Sequence, residues 1–125
     1  MTPTEYLTKI LIELSASLLI SSFDVMERWA EPDQGYIRVR VRLTNGDFLE
    51  LAEYFVMSGK KCVTVRYRYQ WMDQVQQQLR RRWDNVEHHP GLPGFPHHVH
   101  LSDGRIEPSK ALGILDVLGL VAEEM

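Results

Sequence analysis

The spacing of apolar residues changes twice along the chain, and each change marks a boundary between kinds of structure. Tyr6, Leu7, Ile10, Leu11, Leu14 and Leu18 recur at three- and four-residue steps, the period of a helix that buries one face. Thr2 stands where an N-cap belongs, Pro3 suits a first turn whose N–H has no partner anyway, and Glu5 completes the Thr-x-x-Glu pattern. From about Ser22 the period shortens to two, the mark of a sheet. Ser22 to Trp29 reads as a first strand, closed by the turn-forming run Glu31 to Gly35.

Tyr36 to Leu43 alternates without a fault. Ile37, Val39, Val41 and Leu43 share one side, and Arg38, Arg40 and Arg42 share the other. Asn45-Gly46 predicts a two-residue hairpin, because both residues tolerate positive φ, and Phe48 to Val56 supplies the return strand. After Ser58-Gly59-Lys60, Cys62 to Trp71 alternates again. Val63, Val65, Tyr67, Tyr69 and Trp71 are expected inward, opposite Thr64, Arg66, Arg68 and Gln70. Gln76 to Asp84 is its partner, with Leu79 and Trp83 on one face and Arg80 and Arg82 on the other.

Between Val86 and His100, Pro90, Pro93 and Pro96 together with Gly91 and Gly94 exclude a helix or a central strand, so an irregular loop is expected. A last helix is expected from about Glu107-Pro108-Ser109 toward Glu124, with Leu112, Leu115, Leu118 and Val121 as its apolar stripe. The fold class is therefore α+β. We expect one domain over residues 1–125: a single antiparallel sheet of about five strands in meander order, with an N-terminal and a C-terminal helix packed on one face.

Composition adds limits. A chain of 125 residues, 44% hydrophobic and 25% charged, is sized for one core that needs no covalent staple. Its single cysteine, Cys62, excludes an internal disulfide and fits a cytoplasmic protein. Glu5, Lys9 and Glu13 interrupt the first apolar stretch, so neither a signal peptide nor a membrane span is expected. The net charge of -3 conceals an asymmetry. Tyr36 to Trp83 holds ten Lys or Arg against four acids, a surplus of six, leaving the rest of the chain at -9. A basic centre suits an anionic partner such as RNA, although acidic ends also neutralise such a centre within a fold.

If the strand parities hold, Arg66, Arg68, Arg80 and Arg82 join Arg38, Arg40 and Arg42 on one guanidinium-rich face. It suits a phosphate backbone, or else is a solvated face with Glu50 or Glu53 as cross-strand partners. Tyr36 is the one aromatic found at the Arg parity, and a base-stacking platform needs exposed rings, so the two readings of that face stand level. Tyr67, Tyr69, Trp71 and Trp83 share parity with aliphatic residues and belong in the core.

All five histidines, His88, His89, His97, His98 and His100, fall within thirteen residues. Imidazole exchanges protons near neutral pH, so two on opposite sides of a phosphodiester can serve as base and acid for metal-independent RNA cleavage. Arg66, Arg68 or Arg82 would stabilise the charge building on the phosphate. Asp84, just ahead of the loop, is placed either to orient an imidazole or to initiate a turn. The leading reading needs no metal and no cofactor. Ligation of a metal by His97, His98 and His100 with His88 or His89 is the second chemical reading, though no Cys pair or His-Glu-x-x-His pattern accompanies it. Packing of the imidazoles on Phe95 and on loop carbonyls is the structural alternative.

The run Tyr67 to Trp71, YRYQW, followed by RRRWDNVEHHPGLPGFPHHVH from Arg80 to His100, resembles the TumE-type toxin family of toxin–antitoxin modules. The likeness rests on Tyr67, Tyr69, Trp71, Arg82, Trp83, Asp84, Asn85, His88, His89, Pro90, Phe95, Pro96, His97, His98 and His100. It covers the middle third closely, and Gln74 to Gln78 departs from the Asp- or Gly-rich turn of that family. The resemblance implies a toxin neutralised by a cognate antitoxin of helix-turn-helix type, with ribonuclease-like activity. The alternative is a binding module for nucleic acid or antitoxin that performs no chemistry. A homo-oligomer is compatible with either.

Overall fold

Two helices bracket an unbroken succession of strands. The computed structural model describes residues 1–125: α1 (Pro3–Ala16), β1 (Ile20–Ala30), β2 (Gln34–Leu43), β3 (Phe48–Ser58), β4 (Lys61–Met72), β5 (Leu79–Asp84), β6 (His98–Leu101), β7 (Ile106–Pro108) and α2 (Ile114–Glu124). Every neighbouring pair is antiparallel and the strands lie in chain order, an open meander with both helices on one face. The class and order are those expected, but the sheet has seven strands where about five were foreseen.

The additional strands lie at the end of the Pro-rich segment. Its prolines all precede His97, and His98–Leu101 then alternates for just long enough to pair with β5. Ile106–Pro108 returns along β6, so Glu107 and Pro108 belong to an edge strand, where a missing N–H is tolerated, and not to a helix start. Helix α2 begins later, at Ile114, where Asp116 accepts the Gly113 N–H at 2.8 Å. The start of α1 is as expected. Thr2 Oγ1 accepts the Glu5 N–H and Glu5 Oε1 accepts the Thr2 N–H, each at 3.1 Å. Leu18, counted in its stripe, falls beyond the last turn and is 93% exposed.

The core forms where the helical stripes meet the sheet. Leu7, Ile10 and Leu14 of α1 and Ile114, Val117 and Val121 of α2 cover Ile37, Val39, Val41, Leu49, Leu51 and Tyr69. Each such side chain contributes roughly 1.5–3 kcal/mol by leaving water. Glu53 lies among them, fully buried and not on the Arg face. Its carboxylate accepts from Tyr6 Oη at 2.7 Å, Thr64 Oγ1 at 2.9 Å and the Ile114 N–H at 2.9 Å, tying both helices to the sheet. Burial raises its pKa above the usual carboxylate range, and these hydrogen bonds pull the other way.

Four bulges alter the simple parity, the first of them at Ser21 near the start of β1. Val65 is the extra residue of β4, between the pairs Tyr54 with Arg66 and Phe55 with Thr64. It turns Cys62 and Thr64 toward the helices and leaves Val63 and Val65 outside, 43% and 44% exposed, against expectation. Met26 is the extra residue of β1, so Phe23 and Val25 face the core while Trp29 emerges on the opposite face across from Tyr36. Arg80 is the extra residue of β5. Its Nε meets the buried Asp47 carboxylate at 3.3 Å, which also accepts from Trp71 Nε1, so Arg80 leaves the Arg face on which it was expected.

The hairpin turns follow local chemistry. Gly46, at φ +91°, closes a three-residue loop in which the Gly46 N–H bonds Leu43 O and the Leu43 N–H bonds Asp47 O, one residue longer than the expected turn. In the loop between β4 and β5, Asp73 Oδ1 accepts the Gln77 and Gln78 N–H groups, which holds the turn in place of a glycine run.

Candidate functional site

The helix-free face of β4, β5 and β6 gathers the unusual residues in two rows. Arg68, Asp84 and His98 stand side by side on adjacent strands, and Gln70, Arg82 and His100 form the next row. Alternation alone puts Asp84 with Arg82 and His98 with His100 on this face, since each pair is two residues apart. Asp84 is nonetheless only 3% exposed. The segment between β5 and β6 folds back over it and brings the His89 ring to 5.0 Å from His98 and 6.2 Å from His100.

Asp84 is the hub. Its Oδ1 accepts the Val86 N–H at 3.1 Å and lies 2.8 Å from His98 Nε2, while Oδ2 accepts from Arg82 Nε at 3.3 Å and lies 3.6 Å from His100 Nε2. Asp84 thus contacts an imidazole and accepts an N–H of the turn at once, so the two placements weighed for it are compatible. His98 is held from both ends. A carbonyl only accepts, so Nδ1 donates to Pro96 O at 2.9 Å, which aims Nε2 at the carboxylate. His100 Nε2 is 3.1 Å from His98 Nε2 and 3.2 Å from Arg82 Nη2. Burial first, and the Arg82 charge second, lower the His100 pKa, with Asp84 acting in the opposite sense. His100 is therefore neutral over more of the neutral range than a free histidine.

The expected site residues separate into groups. Arg68, Arg82, Asp84, Val86, His88, His98 and His100 line one hollow of about 190 Å³. His88 is exposed and His89 half-buried beside it. His97 belongs elsewhere. Its ring stacks on Tyr67 at 5.9 Å and 8°, its Nδ1 is 2.9 Å from Tyr67 Oη, and Tyr67 faces the core. Burial lowers the His97 pKa and raises that of Tyr67, so the phenol stays a donor. Arg66 stands over the Tyr54 ring, with Cζ 5.1 Å from its centroid, and Arg80 is engaged with Asp47. Glu50 is the cross-strand partner, pairing with Arg38 at 3.2 Å and Arg40 at 3.5 Å.

One supporting residue, Asn85, was counted in the family likeness but given no role from the sequence. Asn85 Nδ2 donates to Val65 O at 2.7 Å and Asn85 Oδ1 accepts the Tyr67 N–H at 3.1 Å. A side-chain amide thereby replaces a strand neighbour at the β4 bulge and fixes where the chain leaves β5. The signal was its place beside Asp84.

The ligand atoms of His89, His98 and His100 lie within 4.8 Å of one another, a spacing that fits a transition-metal ion as well as a proton relay. The family model described as Toxin TumE matches residues 8–125, nearly the whole chain. The chain belongs to the TumE toxin family. As a TumE-family protein it is the toxin of a toxin–antitoxin module, with a cognate antitoxin as partner. No match is found among the curated proteins or the solved structures. No helix of this TumE-family toxin is long and apolar enough to cross a membrane.

Proposed function

We propose that this TumE-family toxin is a metal-independent ribonuclease whose chemistry takes place in the hollow between Arg68, Arg82, His88 and His100. The supporting observation is the Asp84 hub, which holds two imidazoles and one guanidinium beside an opening wide enough for a phosphate group. Arg68 and Arg82 bind the phosphate. Its arrival draws the Arg82 guanidinium away from His100 Nε2, 3.2 Å distant, and frees that lone pair. His100 then takes the proton of the RNA 2′-hydroxyl as O2′ attacks phosphorus. The bond from phosphorus to O5′ breaks, and His88, on the exposed side, delivers a proton to the leaving oxygen. The products are a 2′,3′-cyclic phosphate and a 5′-hydroxyl. Asp84 and His98 act as positioning residues, fixing Arg82 and His100 in the orientation the reaction needs.

Purified toxin incubated with total RNA in EDTA tests this, alongside a His98→Ala, His100→Ala double variant. Cleavage by the parent alone is the expected result. Folded protein that binds RNA without cutting it would replace the enzyme with a sequestering module.

A second reading has its own observation. His98 Nε2 faces a carboxylate oxygen at 2.8 Å, and the pair is satisfied either by a proton between them or by a cation both ligate. His89 and His100 complete a three-imidazole set, and the Pro96 carbonyl fixes the far nitrogen of His98 as metal-ligating histidines commonly require. Activity lost in EDTA and restored by added zinc would select this reading over the metal-free one.

A further inference from the structure

Beyond the histidine hollow, the same open face carries a row of rings. Trp29 on β1 stands opposite Tyr36 on β2, Tyr36 opposite Tyr54 on β3, and Tyr54 opposite Arg66 on β4. Trp29 lies 6.2 Å from Tyr36 with planes 26° apart, and 6.3 Å from Tyr54. The other two tryptophans, Trp71 and Trp83, are 4% exposed in the core, whereas Trp29 is 39% exposed with no helix above it. Arg66 extends the row by lying over Tyr54, and neither Arg66 nor Arg68 is matched to a carboxylate.

The row is continuous with the hollow. Ala52, the next open-face position after Tyr54, is small enough to leave a depression of about 210 Å³ bounded by Arg38, Glu50, Arg68 and Gln70. Arg68 is also a wall of the histidine hollow. Rings, a depression and histidines therefore follow one another across the strands, with arginines along the way. At roughly 4.8 Å per strand, β3 lies about 14 Å from β6, within reach of a short run of nucleotides.

We propose that Trp29, Tyr36 and Tyr54 form a base-stacking subsite for single-stranded RNA, placed to hold bases next to the phosphodiester that enters the hollow. The inference rests on the ribonuclease reading for the purpose of the site, though binding is measurable without cleavage. Exposed rings accept the flat face of any base, while Arg66, Arg68 and Arg38 supply positive charge for the backbone. A duplex hides those base faces inside its stack, so single strands are the matching class.

The test uses the full chain and a 2′-O-methyl oligoribonucleotide, which binds but has no 2′-hydroxyl proton to lose. With two tryptophans buried, Trp29 dominates the accessible fluorescence. Single strands are expected to quench it and to bind at least tenfold more tightly than the same sequence as a duplex. Trp29→Ala should weaken single-strand binding about tenfold, Tyr54→Ala likewise, and Trp29→Phe should retain most of it. Melting curves of the variants confirm that they are folded. Unchanged affinity in folded Trp29→Ala and Tyr54→Ala, or equal affinity for duplex, overturns the subsite. So does a Trp29→Ala variant that binds RNA normally but loses antitoxin. Stacking by a protein that never cleaves RNA would retire the ribonuclease and leave the subsite standing. Cleavage unaffected by either ring substitution would do the reverse.

Discussion

His97 and His98, consecutive in the chain, serve opposite sides of the sheet: His97 stacks on Tyr67 and bonds its hydroxyl, while His98 faces Asp84 on the helix-free side. The polypeptide enters β6 between them, and a strand sends successive side chains to opposite faces. Two residues that read as one motif are thereby a packing residue and a site residue.

Their substitution should separate accordingly. His98→Ala and His100→Ala are expected to lower RNA cleavage by about 10²-fold or more, the usual range for loss of acid–base machinery. His97→Gln should remain within a few-fold of the parent. Initial rates on a fluorescent oligoribonucleotide measure both. Equal losses at all three positions would place the reaction elsewhere in the loop.

How much of this was legible depended on whether a strand keeps its count. Ile37 to Leu43 alternates in sequence and in space because β2 carries no extra residue, and all four apolar positions are buried. The same reading fails at Val63 and Val65. The bulge that turns them outward is held by Asn85, about twenty residues away, and no local pattern announces such a partner. Composition located the histidines, but the faces they occupy follow from the pairing of β5 with β6. That four-residue strand was hidden by the prolines beside it. Trp29 and Tyr54 escaped the Arg-face reading for a similar reason. One reaches that face through a bulge, and the other sits on a strand whose parity carries no run of arginines.

Glu53 offers a test of the core. Glu53→Ala would leave the Ile114 N–H and the Tyr6 and Thr64 hydroxyls without their acceptor, at a cost of about 3–5 kcal/mol. Glu53→Gln retains an oxygen for Ile114 and should cost less than half as much. Urea unfolding followed by circular dichroism gives both values. A Glu53→Ala variant as stable as the parent would show that the helices are held by apolar packing alone.

Acid should weaken the fold through His97 and His100. Both have folded-state pKa values below the ordinary 6.5, so in that window the unfolded chain binds more protons than the native one. The stability they contribute is present above about pH 6.5 and is lost as pH falls from there through the lowered folded values. Both rings keep some access to solvent, so each contributes less than about 1 kcal/mol. Unfolding midpoints between pH 7.5 and 5 should decline, and less steeply in His97→Gln. An identical decline in that variant would assign the effect to other groups.

Gly35 tests the packing beneath the aromatic row. A Cβ placed there would collide with Cζ of Phe55, whose ring is completely buried. Gly35→Ala is expected to cost about 1–3 kcal/mol and to lower the melting temperature by several degrees. An unchanged melting temperature would mean that the Phe55 ring has room to turn aside.

The Met26 bulge absorbs one residue without turning the strand over. Val25 pairs with Val39 and Glu27 with Arg38, so a chain lacking Met26 would close the bulge and still set Trp29 opposite Tyr36 on the open face. Holding Met26 in a regular ladder would instead send Glu27 to Ala30 to the other parity and turn Trp29 toward the helix side. Counting in twos from Val25 thus assigns the ring to the wrong face in the longer chain and to the right one in the shorter. Gaps in β1, read against its pairing with β2, are therefore the differences to inspect when members of this family are compared.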